Sequence, residues 1–385
     1  MSLTFGGHQY YSHGSGRSVS GWVSLDSAYP KRGYDVTAHQ FGLGILDRVE
    51  FPSQGFGVDL YVDVSALKLH VRRPGPIIVV EATGTFTAGA AYTMHQIPAY
   101  ILGVRGVAGS AGTKRLIPNG ETAGAGQCKI NFTTGVVTWG DSAITSAVIM
   151  YVPLGVPGFT RDLLVVDEAL TLADATGGYG SATFASRAAC INYIWNNEDN
   201  EVLAYQPVGE NPGANQVDID ILSSADTVVR VLTSDIGNGA NKLTANYIKY
   251  SAAMHARLMR WVDQGDIAMA SNIAGPGTGS SAASTALDGP SMAIPCLGQC
   301  APGEISDNSN DLSFFVDPGG SAGNNVMVLD FATNKWTGNG TPAFTRVELP
   351  LLYVPADMGA NVLMDVGYGE DLSALVTIPY VAYGV

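Results

Sequence analysis

Hydrophobic and polar positions alternate along much of this chain in short runs. The runs are broken by Gly, Pro, Asn and Asp, which is the pattern of half-buried β-strands. Val58 to Arg73 alternates in its second half, through Ala66, Leu67, Lys68, Leu69, His70 and Val71. Pro76 to Phe86 holds a continuous β-branched stretch and reads as a strand buried on both faces. Ile191 to Val208 reads as a hairpin around the polar tip Asn196 to Asn200. Val217 to Ile221 alternates strictly, and Asp226 to Ser234 follows as a strand closed by the turn signal Gly237-Asn238-Gly239. One stretch has a helical period: Tyr247, Tyr250, Met254, Leu258 and Trp261 recur every three or four positions. The competing reading there is a strand over Thr244 to Ala252, with a shorter helix after it.

Two distant stretches share one pattern. Lys129 to Trp139 and Val328 to Gly338 both run from β-formers through an aromatic residue, a Thr-containing step and Gly or Asn back to β-formers. Thr133 and Thr134 suit a type I turn, and Gly135 suits the left-handed position that completes a bulged hairpin. Asn334 stands where Gly135 stands, and Asn tolerates that conformation best after Gly. Each stretch is followed by a strand that ends in the same tripeptide, Tyr151-Val152-Pro153 and Tyr353-Val354-Pro355. The expectation is a mainly β chain of two sandwich- or barrel-like lobes related by a weak internal repeat.

The 385 residues leave room for several domains. Hydrophobic residues make up 46% and charged residues only 14%, and there are 47 glycines. That balance favours strands and tight turns over salt-bridged helices. Residues 1–40, rich in Gly, Ser, Tyr and His, read as an extended arm that orders against a partner. The organisation expected after it is a first β lobe over 41–165, a β-rich middle over 166–270, a Gly/Ser/Pro-rich loop or linker over 271–305, and a C-terminal β segment over 306–385.

Formal net charge is −14, so the chain lacks the basic footprint of a nucleic-acid binder. Lys31-Arg32 and Arg72-Arg73 are small clusters that read as solvated side chains, with a minor contact to packaged DNA as the second reading. Cys128, Cys190, Cys296 and Cys300 do not pair with the scattered histidines at zinc spacing, so they read as free thiols. Ala108 to Gly112 lacks the first Gly of a serine-hydrolase elbow. Gly177 to Phe184 lacks the Lys of a phosphate loop. Asp307 to Asp311 starts like a calcium loop, but Leu312 and Pro318 stand where Gly and Glu belong. Asp218 and Asp220 share one strand face without a pocket in view. No enzyme signature remains, and no catalytic, cofactor or metal residue is assigned. The N-terminus has neither the basic nor the apolar region of a signal peptide. The longest uncharged apolar run, Ser142 to Thr160, contains Pro153, Gly155, Pro157 and Gly158, so it reads as strand and turn rather than membrane helix.

The run Ala99 to Val152 resembles virion structural proteins of tailed bacteriophages. The marks are the Gly109 to Lys114 loop, the polar stretch Pro118 to Gly126, Phe132 to Trp139, Asp141-Ser142 and the strand Ser146 to Val152. The resemblance implies a capsid or cement protein that works through symmetric subunit interfaces. Its partners would be copies of itself and other capsid proteins, its location the virion, and its site of assembly the host cytoplasm. It also brings an alternative fold, the α+β shell fold of tailed-phage major capsid proteins with its long spine helix. A different function class, a particle-surface adhesin or tail protein that binds a receptor or glycan, would use Trp195, Trp261 or Trp336 on an exposed face.

Overall fold

The computed structural model describes residues 3–14, 16–52, 58–74, 78–156, 158–175, 177–206, 212–220, 227–251 and 371–385, and the backbone of nine strands between 260 and 365. Apart from a 3-10 turn at Ala38–Phe41, every regular element among these residues is a β-strand. The protein is mainly β, and one of its sheets curls into a half-barrel. The spine helix of the alternative shell fold has no counterpart among the described residues. The chain divides into two compact units, Met1–Ile77 with Gly359–Val385, and Ile78–Met358.

The first unit joins both ends of the chain. Thr4–His13 and Gly16–Ser24 form a hairpin, and Gly16–Ser24 pairs on its other side with Ile378–Gly384, which in turn pairs with Leu46–Glu50. A second sheet places Lys68–Pro74 between Tyr34–Asp35 and Leu363–Asp365, and Asp59–Asp63 also pairs with Lys68–Pro74. Val19, Val23, Tyr29, Phe41, Leu69, Val71, Ile378 and Tyr380 form its buried core. The first forty residues are therefore not a free arm. Val19 and Val23 point inward from one face of a strand, and the partner that covers their backbone lies at the opposite end of the sequence. Leu67 sits at the hairpin turn with φ +52, so the alternation through Ala66 and Leu67 reflects a turn and not strand continuity.

The second unit contains one eight-stranded module three times. In the first module the strands are Val79–Ala82, Tyr92–Thr93, Pro98–Ala108, Gly112–Thr113, Arg115–Ile117, Gln127–Asn131, Val136–Trp139 and Ser146–Pro153. The second comprises Leu164–Ala175, Tyr179–Thr183, Ala188–Asn196, Glu201–Val202, Ala204–Gln206, Gln216–Asp220, Val228–Leu232 and Gly239–Lys249. The third comprises Arg260–Ala268, Gly277–Ser280, Ser291–Pro295, Gly303–Ile305, Leu312–Asp317, Val326–Asp330, Lys335–Asn339 and Arg346–Pro355. In each module the eighth strand pairs antiparallel with the first and the third. The fifth runs parallel to the sixth. The sixth and seventh form a hairpin, and the seventh pairs antiparallel with the second. First with eighth and second with seventh is the nested pairing of a jelly-roll-like ribbon.

The register repeats as well as the order. Tyr151 faces Ile101 and Met150 faces Gly103, leaving Leu102 bulged between them; Tyr247 faces Ile191 and Asn246 faces Tyr193, leaving Asn192 bulged in the same place. A second bulge falls at Ala99 and at Ala189, again at matching positions. The expected pair of lobes is thus a set of three modules. The middle one escapes a reading of turn residues because its sixth and seventh strands are separated by residues 221–227, where the outer modules use only 132–135 and 331–334.

The expected hairpin is present at Lys129–Trp139. Gly135 has φ +64, its N–H donates to the Asn131 carbonyl, and the Asn131 side chain accepts from the Thr133 and Thr134 N–H groups. Phe132 is the first loop residue and is buried. Asn334 lies outside the described residues. The strand reading holds for Thr244 to Lys249, while 252–259 lie outside them. Val79–Ala82 is an edge strand with Val80 56% exposed, not a strand buried on both faces. The stretch 271–305 holds the second, third and fourth strands of the third module, so it is not an inter-lobe linker.

The three modules touch head to tail. The fifth strand of the first packs on the third and fourth strands of the second, the fifth of the second packs on the fourth of the third, and the fifth of the third packs on the third of the first. In the third module Gly303–Ile305 lies against Arg346–Pro355, taking over where its short third strand ends. The contact is therefore of one kind and closes on itself after three modules. Modules one and two also share one core, in which Tyr193, Trp195 and Val202 join Ile101, Val104, Leu116 and Ile149.

Candidate functional site

The residues weighed for chemistry are dispersed. Cys128 and Cys190 are buried free thiols in different modules, and Cys296 and Cys300 lie outside the described residues, as do Asp307 to Asp311. Burial pushes the Cys128 thiol up to about 12, with Lys114 nearby pulling it down in part. Ser110, in the elbow-like loop, is held by the Lys114 ammonium at 3.0 Å. Gly177 to Phe184 forms the turn and second strand of module two. Asp218 is paired by the Arg230 guanidinium. In the basic clusters, Arg72 is ion-paired to Asp59 at 2.8 Å and lies over the Tyr61 ring. Trp195 is buried in the core shared by two modules, not exposed on a binding face. Among the described residues no group of His, Cys, Asp and Glu could hold a metal ion. No described helix is long and apolar enough to cross a membrane.

What the structure does bring together are polar joints, and modules one and two repeat them. In module one, buried Glu81 on the first strand accepts from Tyr151 on the eighth at 2.7 Å and from Tyr92 on the second at 2.6 Å. It also accepts the His95 backbone N–H, just beyond the second strand. In module two, Glu168 accepts from Tyr247 on the eighth strand at 2.6 Å and from the Ala185 N–H just beyond the second. Burial first, and the Glu81 charge next, hold the Tyr151 hydroxyl far above its ordinary value, so it stays a donor. The Tyr247 hydroxyl is raised in the same way by burial and then by its bond to Glu168. Each carboxylate spends its lone pairs tying three strands into one piece, which closes the module rather than opening a reactive group to solvent.

The entry to the sixth strand is a second repeated device. Gly124-Ala125-Gly126-Gln127 and Gly213-Ala214-Asn215-Gln216 make the same turn, with Gly126 at φ +75 and Asn215 at φ +55. The Gln side chain accepts from the N–H of the leading glycine, at 2.9 and 2.7 Å. The left-handed residue gives its N–H to an aspartate beyond the seventh strand, Asp141 at 3.0 Å or Asp235 at 2.7 Å. Module one adds the almost fully buried Lys114 to Asp141, at 2.8 Å. Burial works to raise the Asp141 carboxyl, but Lys114 and the Gly126 N–H outweigh it and bring it below its ordinary value.

The joint between modules is Asn192. It occupies the bulge on the third strand of module two, and its side chain accepts the Ile101 N–H of module one at 2.8 Å. Its amide donates to the Ala99 carbonyl at 3.3 Å and to Asn246 Oδ1 at 2.8 Å. Asn192 and Asn246 are both buried. The sequence held one signal of all this, the near-identical tetrapeptides at 124–127 and 213–216. Glu81, Glu168 and Asn192 carry no local motif, because each acts on a partner far along the chain.

Comparison of the chain with family models, with curated proteins and with solved structures gives no match.

Proposed function

We propose that this chain is a structural component of a bacteriophage virion, a capsid or cement protein whose work is done by interfaces. The observation that carries the proposal is the module repeated three times and joined by one kind of head-to-tail contact. That contact closes a ring within one chain, and a body with such internal symmetry suits a place on a symmetric shell. The resemblance to tailed-phage virion proteins falls inside the first module, from its third strand to its eighth. The repeated polar devices fit a load-bearing role, since each ties strands to one another. In this reading the partners are other capsid proteins and further copies of the chain across the particle, and the place of action is the virion.

The test is quantitative mass spectrometry of purified particles from the source of this sequence, with the portal and tail proteins as internal standards. A copy number commensurate with the icosahedral shell is expected. A handful of copies, matching the tail, would move the protein to the adhesin or tail class. Its absence from the particle refutes the proposal.

A further inference from the structure

We infer that the outer face of the four-stranded sheet joining the two chain ends binds a neutral oligosaccharide, with Trp22 and Tyr11 as its stacking rings. The inference stands apart from the virion reading, since it concerns the first unit alone. Pairing across Thr4–His13, Gly16–Ser24, Ile378–Gly384 and Leu46–Glu50 sorts the side chains into two faces. Val19, Val23, Ile378, Tyr380 and Ala382 belong to the buried core. The alternate positions face outward in rows across the strands. One row holds Gly6, Trp22 and Pro379, the next is centred on Gln9 and Ser20, and the third holds Tyr11, Ser18 and Tyr383.

Two glycines seat the indole. A Cβ on Gly6 would stand 2.5, 2.9 and 3.1 Å from three successive atoms of the Trp22 ring, so that position lies beneath the ring plane rather than at its rim. A Cβ on Gly7 would stand 2.8 Å from Cδ1 and 2.9 Å from Nε1. Gly7 itself, at φ +68, lies in the bulge between Gly6 and Gln9. Glycine weakens a strand and marks places where another group must come close to the backbone. Here the close group is the indole, which lies down on the strand and turns its other face outward beside exposed Pro379.

The second ring is Tyr11, 50% exposed, whose hydroxyl donates to Gln9 Oε1 at 3.1 Å. Its row lies four residues along the strand from the Trp22 row, about 13 Å. Gln9 and Ser20 stand between the two rings. The charged side chains of these rows, Arg48 and Glu50, meet each other at 3.3 Å, and Arg48 also lies over the Tyr383 ring. A charged partner therefore gains little here, although the chain as a whole carries −14. A purely aliphatic partner would cover the amide and hydroxyl groups without pairing them. A pyranose ring has the matching chemistry: a C–H face that stacks on an aromatic ring, and hydroxyls around its rim that exchange hydrogen bonds with Gln and Ser.

The test is a glycan array carrying neutral and acidic oligosaccharides, probed with the full chain. Binding to neutral glycans is expected. Trp22→Ala and Tyr11→Ala should each weaken it about tenfold. Gly6→Ala should weaken it too, because the added Cβ displaces the indole without removing any group. Tyr61→Ala, which removes an exposed tyrosine from the other sheet of the same unit, should bind as the unmodified chain does. Circular dichroism checks that each variant keeps its fold, and if Trp22→Ala does not, Tyr11→Ala decides, since that side chain is half exposed. A blank array, a preference for acidic glycans, or neutral binding that Tyr11→Ala and Gly6→Ala leave intact overturns the inference. So does a dimer in native mass spectrometry that Tyr11→Ala dissolves, which would give the face to a second copy of the chain.

Discussion

The joint at Asn192 supports a prediction of definite size. In Asn192→Ala three hydrogen bonds are lost: from the Ile101 N–H at 2.8 Å, to Asn246 Oδ1 at 2.8 Å and to the Ala99 carbonyl at 3.3 Å. The truncation also strands their partners in the interior. A buried group left unpaired costs about 1–3 kcal/mol, and the two short bonds set the scale. The expected loss is about 3–5 kcal/mol from the stability of the Ile78–Met358 unit. In scanning calorimetry that lowers its transition by on the order of 10 °C. A second pair of variants separates polar pairing from packing. In Asn192→Leu, Asn246 loses its partner; in Asn192→Leu with Asn246→Leu both members of the side-chain pair are apolar. The double variant should be the more stable of the two, still short of the unmodified protein because the Ile101 N–H remains unmet. A shift below about 2 °C for Asn192→Ala, or a double variant less stable than Asn192→Leu alone, would refute the claim that this joint holds modules one and two together.

The turn at Gly126 is tested by Gly126→Ala, which should cost about 1–2 kcal/mol by equilibrium denaturation because φ is +75 while the space around the site is open. Gly120→Ala, with equally open space and no left-handed φ, is the control and should be neutral within about 0.5 kcal/mol. Asp141 is held below its unfolded value of about 3.9, so its contribution is complete above that value and disappears as pH falls through the lower folded one. Asp141→Asn should lower stability at neutral pH by leaving the buried Lys114 unpaired, and should flatten the acid limb of a stability–pH profile below about pH 4; an unchanged acid limb refutes the assignment. The Cys128 thiol, buried and pushed up to about 12, should resist iodoacetamide in the folded protein at pH 8 and react on denaturation, as read by peptide mass spectrometry. Labelling of the folded protein would contradict its burial.

Local pattern alone located some of the strands. Period-two alternation over Val217 to Ile221 located the strand Gln216–Asp220, the polar tip Asn196 to Asn200 located a hairpin, and turn chemistry located the left-handed Gly135. Those features depend on neighbours a few residues away, so they are written where they act. Repetition of the Phe132 and Phe331 stretches likewise pointed to an internal repeat. What only the tertiary structure decided is everything that joins distant segments. The middle module lacks that stretch and is recognised by its pairing order, its two bulges and its Gly213 to Gln216 turn. The first forty residues look like an arm because the strand that completes their sheet, Ile378–Gly384, comes at the far end of the chain. Val79–Ala82 looks doubly buried because a β-branched run is the same string of letters at an edge and at the centre of a sheet. Glu81, Glu168 and Asn192 are ordinary polar residues in the sequence. They become the joints of the molecule only when a tyrosine hydroxyl, a backbone N–H or another asparagine arrives from far along the chain, in an interior where an unmet polar group is too costly to leave.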